Sequence, residues 1–433
     1  MKRIGFLIAL LVLLGVASAQ TNIEFWYAFS DEPRSNWIQD RIAEYNQTLE
    51  AAGSPYRVTG ERKGSYSETL QAAVLAARQG TPPHLAQLFE VGSQLAIDSG
   101  IFEPIGNLGG INESSYIKPV INYYTINGAV NSIPFNSSSP VLYANKQLMA
   151  QTGITKLPET FSEVIAACET IAASGVDTSC LTFPLHGWLF EQWMANQGAL
   201  LGNNSNGRTA RVTETFANSS AAMAIGDFLS TIGTKGYYQY TGKQGDWGGS
   251  DAIFYNQNVV FHITSTSDAA IIPKNAKEEH GFDVVIGKLP IADGIVRNGV
   301  VIGGASVWVL KDHPVAEKEV ARDFILYMTN AENMISWHKL TGYYPVRTES
   351  VSILESEGWF EENPNLAVAF DQLLETVPNA ATAGALMGSF LDTRAIIQTA
   401  MEKIITGTSA ADALNEAKDL ADAKVAEYNA NFQ

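Results

Sequence analysis

The sequence is poor in cysteine and in positive charge. Its 433 residues hold two cysteines, and 28 lysines and arginines against 45 aspartates and glutamates, for a formal net charge of −17. So large an acidic excess repels phosphodiester backbones and anionic headgroups, which excludes nucleic acid as a partner. Beyond the first twenty residues no run approaches the ~20 apolar residues that span a bilayer, so direct membrane insertion is excluded as well. The common catalytic patterns are also missing. His84, His186, His262, His280, His313 and His338 include no pair four apart around a glutamate, and there is no G-x-S-x-G elbow, P-loop or dinucleotide glycine pattern. No metal, no cofactor and no catalytic residue is therefore expected. Forty-five carboxylates always leave some pair suited to glycosidic hydrolysis, so a secreted carbohydrate-active hydrolase stays as the rival from another class.

What is present begins with "MKRIGFLIALLVLLGVASAQ": two cations, an apolar run and a small-residue end. This reads as a secretory signal over residues 1–19, cut after Ala19, and places the mature chain in the periplasm. No cysteine follows the run, which argues against a lipid anchor. Losing Lys2 and Arg3 would take the charge from −17 to −19. In that oxidising compartment Cys168 and Cys180, twelve apart, read either as a disulfide or as a buried thiol on a helix with an unrelated partner.

The remaining chain alternates strand and helix. "NIEFWYAF" is an apolar strand. The helix after it can be capped by Ser30 or Asp31, takes Pro33 in its first turn and repeats Ile38, Ile42, Tyr45 and Leu49. A second helix is expected from about Ser65 to Arg78, then the strand "HLAQLFEV", and later "VLYANK", "NVVFHITST", "DVVIGK" and "GASVWVL". The last hundred residues read as mostly helical. This is an α/β pattern, and no linker divides it.

Six segments, "KGSYSETLQAA", "FEVGSQLA", "FNSSSPVLYANK", "VIGGASVWV", "WHKLTGYYPV" and "GSFLDTR", stand in an order and spacing that resemble the extracellular solute-binding proteins of ABC importers. The likeness is greatest to those for glycerol 3-phosphate and glycerophosphocholine, and it runs over nearly the whole mature chain. It implies a two-lobed periplasmic-binding-protein fold, maltose-binding-protein-like, with ligand in the cleft between lobes that close about a hinge. By analogy the first lobe takes residues 20–133 and 299–331, and the second 134–298 and 332–433. The implied partners are a small glycerophosphate ester and the transmembrane subunits of the importer. The protein is expected to act as a monomer, and a sugar or oligosaccharide is the alternative ligand.

Carried over motif by motif, the resemblance places ligand contacts at Tyr66, Glu90, Ser138, Ser265, Gly304, Tyr343 and Arg394, with Thr264 and Thr266 flanking a less regular match at Ser265. Arg394 offers a fixed fork of donors to a phosphate, and Asp392 is expected to cap its helix so that the helix N-terminus faces the same anion. Replacing Arg394 by alanine should then abolish ester binding and leave the fold intact. Glu90 cannot hold a phosphate, and is assigned to glycerol hydroxyls. In "PLHGWLFEQWMANQG" Trp193 reads as core and Trp188 as a wall of the site. The related "GWxGW" carries a second tryptophan where this chain has Leu185. The lost indole is expected to leave room for a diester, whose quaternary ammonium could lie over Trp188.

Overall fold

The computed structural model describes residues 20–432, so the expected leader and its cut after Ala19 lie outside the described residues. Two sheets organise the chain. In the first, Tyr56–Arg62, Thr21–Tyr27 and Leu85–Phe89 run parallel, and Gly303–Leu310 joins antiparallel to the last of them. Phe102–Glu103 and Ile133–Ser138 both pair with Gly303–Leu310. The second sheet has the order Val284–Lys288, Pro140–Asn145, Val259–Ser265, Ser179–Thr182.

Local signals account for the flanking helices. Asp31 caps Glu32–Ala51 by accepting the Arg34 amide at 3.2 Å, with Pro33 in the first turn. That helix buries Trp37, Ile38 and Ile42. Ser65 opens Tyr66–Arg78 with a full capping box to Glu68. This cap fixes where Tyr66, the first helical residue, stands.

The chain passes between the sheets without a linker. Ile133–Ser138 lies in the first sheet and Pro140–Asn145 in the second, so Ser139 alone makes the crossing. Its backbone is held from both sides: the Ser139 amide donates to Thr266 Oγ1 at 3.1 Å, its hydroxyl meets Tyr344 Oη at 2.5 Å, and Tyr344 N donates to Ser137 O at 2.9 Å. A buried crossing residue with every polar group paired is a stiff joint rather than a loose tether. The helix Ala331–Thr341 carries Met334 and Trp337 into the apolar cluster of the first sheet, where Trp337 packs on Trp37 and Phe135.

Cys168 on helix Phe161–Ala173 is bonded to Cys180 on strand Ser179–Thr182, so the disulfide reading holds. Trp193 is core as expected, 1% exposed, edge-on to Phe161, Phe183 and Phe228, with Nε1 donating to Pro290 O at 3.0 Å. Among the described residues no helix is long and apolar enough to cross a membrane.

Candidate functional site

A cavity of about 440 Å³ opens where the two sheets face each other, and it is lined by Tyr66, Glu90, Ser138, Trp188, Ser265, Gly304, Tyr343 and Arg394. Its volume lies in the range of small-molecule sites, roughly 300–1,000 Å³. All eight residues matched by motif thus meet at one place from eight separate parts of the chain. Leu185 does not join them. It is 1% exposed and belongs to the apolar core. Beside Trp188, Trp247 from helix Trp247–Tyr255 stands 5.9 Å away, tilted by 50°, and also lines the cavity.

The floor of the cavity is set by a helix crossing. A Cβ on Gly187 would lie 2.6 Å from the Arg394 carbonyl oxygen, so only glycine lets helix Gly187–Asn196 approach helix Phe390–Ile405 this closely. Gln398 Oε1 accepts the Gly187 amide at 3.2 Å and ties the crossing. One turn beyond Gly187, Glu191 meets Arg394 in a bidentate pair: Nε to Oε1 at 2.6 Å and Nη2 to Oε2 at 2.7 Å. Nη2 also reaches Glu90 Oε1 at 2.6 Å.

Burial works against the Arg394 charge, but Glu191 and then Glu90 more than offset it, and its pKa is raised. Burial pushes Glu191 up, against the pull of Arg394. Two expectations change here. Asp392 sits in the first turn of the helix rather than at its cap, which falls at Ser389. Arg394 lies in the second turn, beyond the first-turn amides that give a helix N-terminus its positive end.

The other walls follow from local geometry. Tyr66 stacks on Phe89 at 5.6 Å and 13°, and its Oη accepts from Asn136 Nδ2 at 2.7 Å. Burial raises its pKa, so it remains a phenol and can donate. Ser265 Oγ accepts the Ser267 amide at 3.0 Å and caps a single 3-10 turn, which leaves its proton for the cavity. Gly304 has φ +95, and a Cβ there would fall 1.8 Å from Asn136 O, so packing against strand Ile133–Ser138 requires glycine as much as any ligand does. Tyr343 stacks on Trp337 at 5.5 Å and 13°.

Arg34, His186, Glu191, Trp247, Asp251 and Asp268 escaped the sequence reading. Arg34 reaches over from the first sheet's body to Ser267 O at 2.8 Å and Asp268 Oδ1 at 2.7 Å, beside the Tyr343 ring. His186 caps its helix by accepting the Trp188 amide on Nδ1, which leaves Nε2–H as a neutral donor. Burial and the nearby Arg394 charge depress its pKa to about 3. Glu191 carried a readable signal, a lone carboxylate in the apolar helix "GWLFEQWMAN" that must find a cation.

A closed set of polar groups and rings between two α/β bodies, joined by short crossings, defines a protein that holds a small solute in a cleft. The chain belongs to the bacterial extracellular solute-binding proteins, whose family model matches residues 41–368. It is 28% identical over 410 residues to the sn-glycerol-3-phosphate-binding periplasmic proteins UgpB of Escherichia coli (strain K12) and Salmonella typhimurium (strain LT2), covering 92% of this chain and 90% of each relative. Among solved structures, UgpB from Mycobacterium tuberculosis in complex with glycerophosphocholine superposes with TM-score 0.78 at 20% identity, over 94% of this chain and 99% of that one. The cyclic alpha-maltosyl-1,6-maltose binding protein from Arthrobacter globiformis superposes with TM-score 0.75 at 18% identity, over 94% and 100%. At such identities the structural likeness speaks for the fold.

Proposed function

We propose that the protein is the periplasmic substrate-binding subunit of an ABC importer and captures a glycerophosphate ester, either glycerol 3-phosphate or a glycerophosphodiester such as sn-glycero-3-phosphocholine. The observation that carries this reading is the convergence of the eight motif-matched residues on one cavity. Two edges of Arg394 are taken by carboxylates, so phosphate meets the remaining Nη1 edge, together with the Ser138, Ser265 and Tyr343 hydroxyls. Glu90 accepts from glycerol hydroxyls while Arg394 holds it in place. The lobes, built on residues 20–133 with 299–331 and on 134–298 with 332–433, close about the crossings at Ser139 and near Tyr344, and helix Ala331–Thr341 rides on the first. The protein works as a monomer that hands its ligand to the importer's transmembrane subunits and performs no chemistry.

The ring pair Trp188–Trp247 gives a second reading weight, since two indoles also suit a pyranose. Calorimetric titration with glycerol 3-phosphate, sn-glycero-3-phosphocholine and maltose, with products checked after long incubation, separates them. Ester binding without turnover is the expected result. Binding of maltose alone overturns the phosphate reading, and turnover overturns the binding-protein reading.

A further inference from the structure

A further cavity, of about 270 Å³, has a positive lining in a chain whose formal charge is −17. It shares no lining residue with the cavity described above. Two arginines, Arg208 and Arg211, face it against one carboxylate, Asp98. Arg211 Nη1 and Nη2 donate to Asp98 Oδ2 and Oδ1, each at 2.8 Å, while Gln94 Nε2 and Tyr428 Oη donate to the same carboxylate at 2.9 and 3.0 Å. Asp98 is thus matched on both oxygens, and the charge left over belongs to Arg208.

Arg208 has no such partner. Its Nε donates to Gly384 O at 2.8 Å and its Nη2 to Ala383 O, and the guanidinium lies 5.2 Å over the Tyr123 ring. No carboxylate pairs with it among the described residues, and burial lowers its pKa. Gly207 puts it there. With φ +80 and a Cβ position 1.9 Å from Leu386 O, this residue must be glycine for the turn before Arg208 to cross so close to the segment that leads into helix Phe390–Ile405.

That segment ends in an open helix terminus. Met387, Gly388 and Ser389 line the cavity where the helix begins. Ser389 holds the cap position, yet its side chain accepts from no first-turn amide, so those amides lack a capping group. A second observation also points to a ligand: Ser389 is 4% exposed, and its hydroxyl has no hydrogen-bond partner among the described residues. An unmatched guanidinium, a free buried hydroxyl and an uncapped helix N-terminus at one cavity are donors that lack an acceptor.

We propose that this cavity binds a small oxyanion of the phosphate or sulfate class, held by Arg208 and Ser389 at the N-terminus of helix Phe390–Ile405 and separate from the solute in the cleft. Arg208 supplies a charge-assisted bond through its Nη1 edge, Ser389 a neutral one, and the helix terminus its positive end. Arg211 stays locked to Asp98 and keeps that carboxylate from repelling the anion. The site does not depend on which solute the cleft takes.

The test is calorimetric titration of the protein with inorganic phosphate, at constant ionic strength made up with chloride, followed by the same titration of Arg208→Gln and Ser389→Ala. The unaltered protein should bind phosphate saturably. Arg208→Gln should weaken that binding at least about tenfold and Ser389→Ala about threefold, while both keep the parent's far-ultraviolet circular dichroism and its affinity for sn-glycero-3-phosphocholine within about twofold. If Arg208→Gln misfolds, Ser389→Ala, which removes a single hydroxyl, carries the test alone. Absence of saturable phosphate binding overturns the site. Phosphate binding left unchanged by the variants that fold also overturns it, because the anion then sits elsewhere. Failure of the ester to bind counts against the glycerophosphate reading and leaves the phosphate titrations to decide this site.

Discussion

Arg394 Nη2 lies 2.6 Å from Glu90 Oε1, and this contact joins helix Phe390–Ile405, packed on helix Gly187–Asn196, to the turn that follows strand Leu85–Phe89 of the first sheet. With the Glu191 fork on its other edge, the guanidinium is a clasp at the cavity, and in the proposed function also the donor to phosphate.

Arg394→Ala therefore does more than remove a donor for phosphate. It leaves Glu90 and Glu191, each 5% exposed, without their cation. The variant should lose ester binding by at least about a hundredfold and lose about 3–5 kcal/mol of stability in chemical denaturation. The sequence reading expected an intact fold. An unchanged denaturation midpoint would return to that expectation and show that the clasp carries no load.

The two adjacent glycines of "IGGAS" should separate in their effects. A Cβ on Gly303 would sit 2.6 Å from the Trp188 indole, so Gly303→Ala shifts the ring and should weaken ligand binding about tenfold in a folded protein. Gly304→Ala combines φ +95 with a clash against Asn136 O and should cost roughly 2–5 kcal/mol. Thermal melting and titration of both variants check this, and similar melting for the two would contradict it.

Buried His338 gives the fold a pH dependence. It is 1% exposed, its Nδ1 donates to Tyr343 O at 2.8 Å and Nε2 has no partner. Burial depresses its pKa to about 4. The unfolded chain, near 6.5, binds the proton first. Stability is therefore full above about pH 6.5 and falls as pH drops toward about 4, by up to about 1.4 kcal/mol per unit. His186 acts in the same direction down to about 3. His338→Asn keeps a donor for Tyr343 O and removes the titration, so denaturation at about pH 7 and about pH 4.5 should differ less than in the parent protein. An identical difference would clear His338.

The Cys168–Cys180 bridge closes a short loop, with a sequence separation of 12, and should contribute about 3 kcal/mol. Reduction, or a double change to serine, should lower the melting temperature without altering ester affinity, since neither residue lines the cavity. A loss of affinity on reduction would link this helix-to-strand bridge to the site.

Periodicity and capping carried the α/β elements, because Asp31, Ser65 and the apolar repeats act locally. The residues matched by motif meet at one cavity, with Tyr66 placed by the Ser65 cap and Ser138, Ser265 and Gly304 by strand register. What escaped was set by long-range packing. Glu191 beneath Arg394 depends on where two helices cross, which Gly187 permits across more than two hundred residues of chain, and Trp247 comes to Trp188 from a third helix. Leu185, read as setting the pocket's size, is 1% exposed in the core and does not line the cavity.

The most direct test is a crystal structure of the protein with sn-glycero-3-phosphocholine bound. A phosphate oxygen about 3 Å from Arg394, with glycerol hydroxyls on Glu90 and the ammonium between Trp188 and Trp247, is the predicted result. Ester bound outside the cleft, or a phosphate away from Arg394, would contradict the account.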